Sequence, residues 1–272
     1  MGPPSGWRPS PSSTSPRRRT CDTIIDPAGG DDAASRLAAV HTRASEACRR
    51  SGRDPGEVDV LAASKYSDAP GIVELAAAGQ RLFGENRVQD AAVKLAELPH
   101  MVRKAIRVHL IGHLQSNKSR AAVGVFDAVQ SIDSLRLATE VSRAALTAGQ
   151  PLRALVQVNV AADPSKSGYA VEGLMRDAAD LVSLPGLAIE GLMTIGPVVD
   201  QPGAARPTFV ALRELRDRLS DHWPPSALRH LSMGMSADFE AAIEEGATIV
   251  RVGTALFGDH HELLSRRQPR VG

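Results

Sequence analysis

The chain is poor in cysteine, in lysine and in net charge, and it has no long apolar run. Only two cysteines, Cys21 and Cys48, stand among its 272 residues. Two thiols cannot supply a disulfide framework, and neither has metal-ligand spacing to another Cys or to a His. A stapled extracellular scaffold and a structural zinc site are therefore excluded, and a reducing cytosol is expected. No apolar stretch reaches the roughly 18 residues that a membrane span requires. Arg17, Arg18 and Arg19 could open a twin-arginine export signal, but the segment Cys21 to Pro27 is too short and too polar to continue it. A cytoplasmic protein without a membrane partner is expected. The formal net charge is +1, which argues against a broad electrostatic surface for nucleic acid.

Lysine is scarce in a particular way. Of 32 basic residues, 27 are Arg and five are Lys: Lys65, Lys94, Lys104, Lys118 and Lys166. Arginine serves the general need for surface charge, so each lysine carries more information. A lysine amine can form an imine with an aldehyde, whereas a guanidinium cannot.

Composition divides the chain once. Residues 1–30 are rich in Pro, Ser, Gly and Arg and cannot bury enough apolar surface to order themselves, so a disordered tail is expected there. Residues 31–272 are globular in texture. They alternate short apolar runs with helical patterns. Strands are predicted at 58–64, 81–83, 106–110, 126–130, 154–160, 187–192, 228–231 and 248–252. Helices are predicted at 33–50, 88–98, 135–148, 171–184, 206–220 and 237–245. Regular β-then-α alternation implies parallel strands, and eight units in about 230 residues suit a single (β/α)₈ TIM-type barrel. Chemistry is then expected at the C-terminal ends of the strands.

Several candidate residues fall at those ends. Lys65 directly follows the first strand. Partial desolvation at an apolar barrel mouth would free its amine to attack an aldehyde, although the position also suits a lysine lying along the surface. Asn86, after Gly84-Glu85, could orient a ligand or simply cap the next helix. His109 and His113 bracket the end of the third strand, but no nearby carboxylate completes a metal triad. Ser165 to Gly168 could form an anion-binding nest or a solvated loop. The most informative stretches are Leu231 to Asp238 and Val250 to Thr254. Each follows a predicted strand, the seventh and the eighth. Small residues there expose backbone N–H groups, and Ser236 and Thr254 add hydroxyls, which is the usual phosphate position of such barrels.

Taken together, these segments resemble the pyridoxal phosphate homeostasis protein family. The resemblance runs through Ala63-Ser64-Lys65, Phe83 to Asn86, Ile111 to Lys118, Ser131 to Ser134, Val156 to Asn159, Ser165 to Gly168, Gly191 to Thr194, Leu231 to Asp238 and Arg251 to Gly258. It implies a barrel like the N-terminal domain of alanine racemase, with pyridoxal 5′-phosphate held as an imine on Lys65. It also implies phosphate contacts from Ser236, Gly253 and Thr254, with Asn86 and Met235 near the cofactor and Arg251 facing the pyridine nitrogen. The implied role is to buffer or deliver the cofactor within vitamin B6 and amino-acid homeostasis, with apo-forms of enzymes that use it as recipients and a monomer as the working unit. Arg87 and Val108 depart from the aromatics usual at their positions, and the lysines usual near the C-terminus are missing.

A catalytic alternative stays open: a monomeric racemase of low activity, or a Schiff-base aldolase working through Lys65. A racemase needs a second base opposite the first, and neither Tyr66 nor Tyr169 stands in a matching context. An aldolase needs an acid–base group beside the lysine, for which the sequence offers no convincing candidate. A guanidinium facing the ring nitrogen would leave that nitrogen unprotonated and the ring a poor electron sink.

Overall fold

Runs of Val, Ile, Leu and Ala too short for a useful helix form eight strands. They are β1 (Asp59–Ala63), β2 (Leu82–Glu85), β3 (Arg107–Leu110), β4 (Ala128–Ile132), β5 (Leu152–Gln157), β6 (Leu187–Met193), β7 (His230–Met235) and β8 (Ile249–Val252). In the computed structural model, which describes residues 32–197 and 203–258, all eight are parallel and close into a barrel in chain order. Closure is made by β8 on β1, through the pairs Asp59–Ile249, Val60–Val250, Leu61–Arg251 and Ala62–Val252. The described residues lie within one unit, Asp31–Gly272. The tail expected over residues 1–30 lies outside them. None of their helices is long and apolar enough to cross a membrane.

Parallel strands need crossovers, and helices supply them on the outer face. In order they are α1 (Ala33–Arg50), α2 (Ala69–Ala77), α3 (Val88–Ala96), α4 (His100–Ala105), α5 (Ser119–Val125), α6 (Leu135–Thr147), α7 (Val171–Ser183), α8 (Arg206–Leu219), α9 (Phe239–Glu244) and α10 (Thr254–Phe257). Their starts are chemically marked. Asp32 accepts from the Ser35 N–H at 2.7 Å to cap α1, and Asp68 and Ser134 do the same for α2 and α6. The helices other than α4 bury apolar residues against the strands, and this layer is the main core.

The expected barrel is present, and α1 matches its predicted range end to end. Three local readings are corrected. Strand β7 runs on to Met235, so Met233-Gly234-Met235 is strand and not turn. Strand β2 likewise carries Gly84 and Glu85, which the sequence reading placed after it. Helix α2 was not among the predicted helices; it opens with Pro70, and Pro at a helix start is well tolerated.

The barrel interior has two unlike halves. Leu61, Leu82, Leu155, Met193 and Ile249 form a small apolar cluster apart from the outer core. Against it, from β3, β4, β7 and β8, stand the buried polar residues His109, Gln130, Ser232 and Arg251. Sheet contacts on the β6–β7 side are close: a Cβ on Gly191 would lie 1.9 Å from the His230 carbonyl oxygen. Backbone cannot move aside as a side chain can. Gly191→Ala should therefore lower stability by about 1–3 kcal/mol, read as a lower urea midpoint at unchanged slope. An unchanged midpoint would show that the two strands can separate freely there.

Candidate functional site

The C-terminal ends of the strands surround a cavity of about 520 Å³. Lys65, Asn86, Met235, Ser236, Arg251, Gly253 and Thr254 all line it. The seven residues singled out in the sequence are thus brought to one wall-to-wall space. The loop Ser165 to Gly168 is not part of that lining. Its Lys166 instead donates to the Ile195 carbonyl at 3.3 Å and lies near Asp163.

Lys65 sits two residues beyond β1, at the mouth. Its side chain is exposed, so the partial desolvation expected for it is absent from the protein alone. Its amine lies 4.9 Å from the centre of the Tyr66 ring, within cation–π range. The residue before it is held firmly. Lys94 from α3 donates to the Ser64 carbonyl and to Glu85 Oε1, both at 2.8 Å, and the Ser64 hydroxyl donates to the same Glu85 oxygen at 2.6 Å. Glu85 and Ser64 are fully buried, so this ion pair fixes the backbone from which Lys65 projects.

Across the mouth, the Gly253 N–H donates to Ser236 Oγ at 3.1 Å. Ser236 follows β7 and Gly253 follows β8, so the bond ties the ends of two neighbouring strands together. Asp238 Oδ1 accepts from the Met235 N–H at 2.6 Å and shapes the same turn. Burial pushes the Asp238 carboxyl up, opposed by that N–H and by the charge on Arg251.

Arg251 is buried on the floor of the cavity. It donates to Ser232 Oγ at 2.8 Å and to the Thr194 carbonyl at 2.7 Å. Burial lowers its pKa to about 10, which leaves it charged at neutral pH. The Ser232 hydroxyl donates onward to Gln130 Oε1 at 2.7 Å, and Gln130 Nε2 lies 2.9 Å from His109 Nδ1. An amide nitrogen only donates, so His109 Nδ1 accepts and its proton sits on Nε2. That Nε2 is buried with no partner among the described residues. Burial, reinforced by Arg153, Arg107 and His230, drives the His109 pKa down to about 3. His109 is thus a neutral strut for Arg251.

Sequence reading missed one pairing. His113 also lines the cavity, and its Nδ1 lies 3.3 Å from Asp133 Oδ2. The two residues are 20 positions apart, on the ends of neighbouring strands β3 and β4. Only the strand order brings them together.

Comparison with known proteins places the barrel. The family model for the N-terminal domain of alanine racemase matches residues 37–261. A pyridoxal phosphate homeostasis protein of Aquifex aeolicus is 41% identical over 228 residues, 84% of this chain and 98% of that one. The structure of PipY from Synechococcus elongatus with PLP bound is 38% identical with a TM-score of 0.73, covering 83% of this chain and 100% of PipY. An alanine racemase of Bartonella henselae with covalently bound pyridoxal phosphate has a TM-score of 0.62 at 15% identity, covering 84% of this chain and 60% of that chain, a likeness of fold alone.

The state of His109 has a pH consequence. Its folded pKa lies below the ordinary 6.5, so the unfolded chain takes up a proton that the folded protein refuses. The associated stability is complete above about pH 6.5 and is lost progressively as pH falls towards 3. By pH 5 the loss from this residue should be about 2 kcal/mol. Urea titrations at pH 7 and pH 5 should show His109→Gln losing less stability over that interval than the parent. Parallel losses in both proteins would mean that His109 is protonated in the fold.

Proposed function

The chain belongs to the pyridoxal phosphate homeostasis protein family, whose barrel is that of the alanine racemase N-terminal domain, and from that membership we propose that it binds pyridoxal 5′-phosphate at the strand ends. The carrying observation is that one cavity gathers an accessible amine, two hydroxyls, a backbone N–H and a buried cation. Those groups fit a ligand with an aldehyde at one end, a phosphate at the other and an aromatic ring between. When bound, the cofactor supplies the aldehyde and a ring able to accept electrons.

The chain's own residues then divide the work. Lys65 contributes the amine that condenses with the aldehyde. Ser236, Thr254 and the Gly253 N–H donate to the phosphate, with Ser236 and Gly253 exchanging their mutual bond for it. Asn86 and Met235 bound the ring. Arg251, charged and anchored on two protein oxygens, donates towards the ring nitrogen and keeps it unprotonated. A ring in that state is a poor electron sink. The protein accordingly holds and releases the cofactor in vitamin B6 and amino-acid homeostasis, as a monomer in the cytoplasm, with apo-forms of cofactor-requiring enzymes as recipients.

Two measurements test this reading. Borohydride reduction of the cofactor-loaded protein should leave the adduct on Lys65, and Lys65→Ala should lose it while keeping its circular dichroism. An adduct found by mass spectrometry mainly on Lys118 or Lys166 would sink the assignment. Removing both hydroxyls, Ser236→Ala with Thr254→Ala, should weaken cofactor retention by on the order of tenfold or more, since each charge-assisted bond is worth roughly 1.5–3 kcal/mol. Pyridoxal without its phosphate should be indifferent to the pair. Equal losses for both ligands would place the phosphate elsewhere.

A further inference from the structure

We propose that His113 and Asp133 form a general acid–base pair that moves the protons when Lys65 takes up and gives back its aldehyde ligand. The inference rests on the reading of Lys65 above and adds a catalytic group to it. Condensation of an amine with an aldehyde is not one step. A hydroxyl must be protonated before it can leave, and on release a water must lose a proton as it attacks.

The cavity wall holds few groups able to do this. Arg251 stays charged, and Lys65 is itself the nucleophile. Among the described residues that line the cavity, His113 is the one imidazole, a side chain with one nitrogen to donate and one to accept. It is 55% exposed, at the mouth, where ligand enters. Behind it, Asp133 is only 17% exposed, with Oδ2 lying 3.3 Å from His113 Nδ1. Asp133 is itself held. Its Oδ1 accepts from the Ser134 hydroxyl at 3.2 Å, and Ser134 caps α6. A carboxylate on the Nδ1 side favours the tautomer with its proton on Nδ1, which leaves the Nε2 lone pair outward, and it stabilises the imidazolium that forms.

Backbone packing sets the position of the pair. Gly112 lies so close to the preceding loop that a Cβ there would stand 2.2 Å from the Asn86 carbonyl oxygen. The residue before His113 is thereby pressed against Asn86, another cavity residue. Strand order then places Asp133, one residue past β4, beside the loop that follows β3.

The steps balance without any further reagent. The neutral Lys65 amine attacks the aldehyde carbon, the C–N bond forms, and an amine proton passes to the carbonyl oxygen. His113 imidazolium then gives its Nε2 proton to the resulting hydroxyl. The C–O bond breaks, water departs, and the nitrogen lone pair completes a protonated C=N bond. Release runs in reverse: water attacks the carbon while His113 Nε2 takes its proton.

A group that acts in both directions changes rates and not the equilibrium, and that distinguishes it from a residue that merely shapes the pocket. The experiment uses the full chain and pyridoxal 5′-phosphate. Uptake is followed by absorbance, release by transfer to an excess scavenging amine, and Kd by titration. Reduction and mass spectrometry locate the adduct in each protein. His113→Gln should keep the adduct on Lys65 and keep Kd within twofold, while uptake and release both slow by on the order of tenfold, less than the usual hundredfold or more because water also reaches the mouth. Added imidazole should restore part of both rates in His113→Gly. Asp133→Asn should slow both rates by a smaller factor. In the ligand-free protein, ¹⁵N–¹H NMR should find the neutral His113 ring protonated on Nδ1.

An adduct on Lys65 with unchanged rates in His113→Gln overturns the acid–base role alone, as does a changed Kd with no matched slowing, or a ring protonated on Nε2. A wild-type protein that carries no adduct on Lys65 overturns the reading beneath it, and the pair with it.

Discussion

The constraint on which the rest of the barrel depends is the charge of Arg251 inside it. A guanidinium removed from water is costly unless its donors meet oxygen atoms in good geometry. Here the Ser232 hydroxyl and the Thr194 carbonyl meet them, and the Asp238 carboxylate acts from further off. Each acceptor has its own requirement. Ser232 can accept from Arg251 because its proton is directed at Gln130, and Gln130 is turned by His109. The Thr194 carbonyl is placed by a strand end whose hydroxyl donates to the Val158 carbonyl at 2.8 Å, tying β6 to the segment after β5. His109, Gln130 and Ser232 are therefore polar residues of the interior that together hold one cation at the foot of the cavity. The apolar cluster of the interior supplies ordinary packing.

The sequence was most legible where one physical rule acts over many residues. Period and length marked the strands and long helices, and their alternation marked the barrel. Strand-end logic gathered Lys65, Ser236, Gly253 and Thr254 before any geometry was available. What escaped depended on contacts between distant segments. Met233 to Met235 fell beyond the predicted strand because small residues and glycine usually break strands, yet β8 pairs with β7 as far as Met235, past an irregularity in register. The desolvation expected of Lys65 assumed a deeper position than the chain gives it. His113 and Asp133 gave no local sign of each other, since no short motif joins them. Knowing that βα loops in a barrel lie side by side in chain order would have suggested comparing polar residues after β3 with those after β4.

The site is stiff below and open above. Below, backbone and buried side chains are cross-linked by short hydrogen bonds that Arg251 donates and that Glu85 and Asp238 accept. Above, Lys65, Tyr66 and His113 are exposed at the rim. A cross-linked floor limits how a bound ligand can lie, and an accessible rim leaves Lys65 and His113 open to solvent. That combination suits a ligand that must be held in one orientation and still be exchanged.

The Lys94–Glu85 pair adds a form of chemical selectivity. Aldehydes react with any free amine they can reach, and Lys94 approaches the base of the residue that precedes Lys65. An ammonium committed to a carboxylate and a backbone carbonyl has no lone pair to offer, so Lys94 is silent as a nucleophile. Two lysines on adjoining elements are thus sorted by wiring: Lys94 is built into the scaffold, while Lys65 is left exposed at the rim.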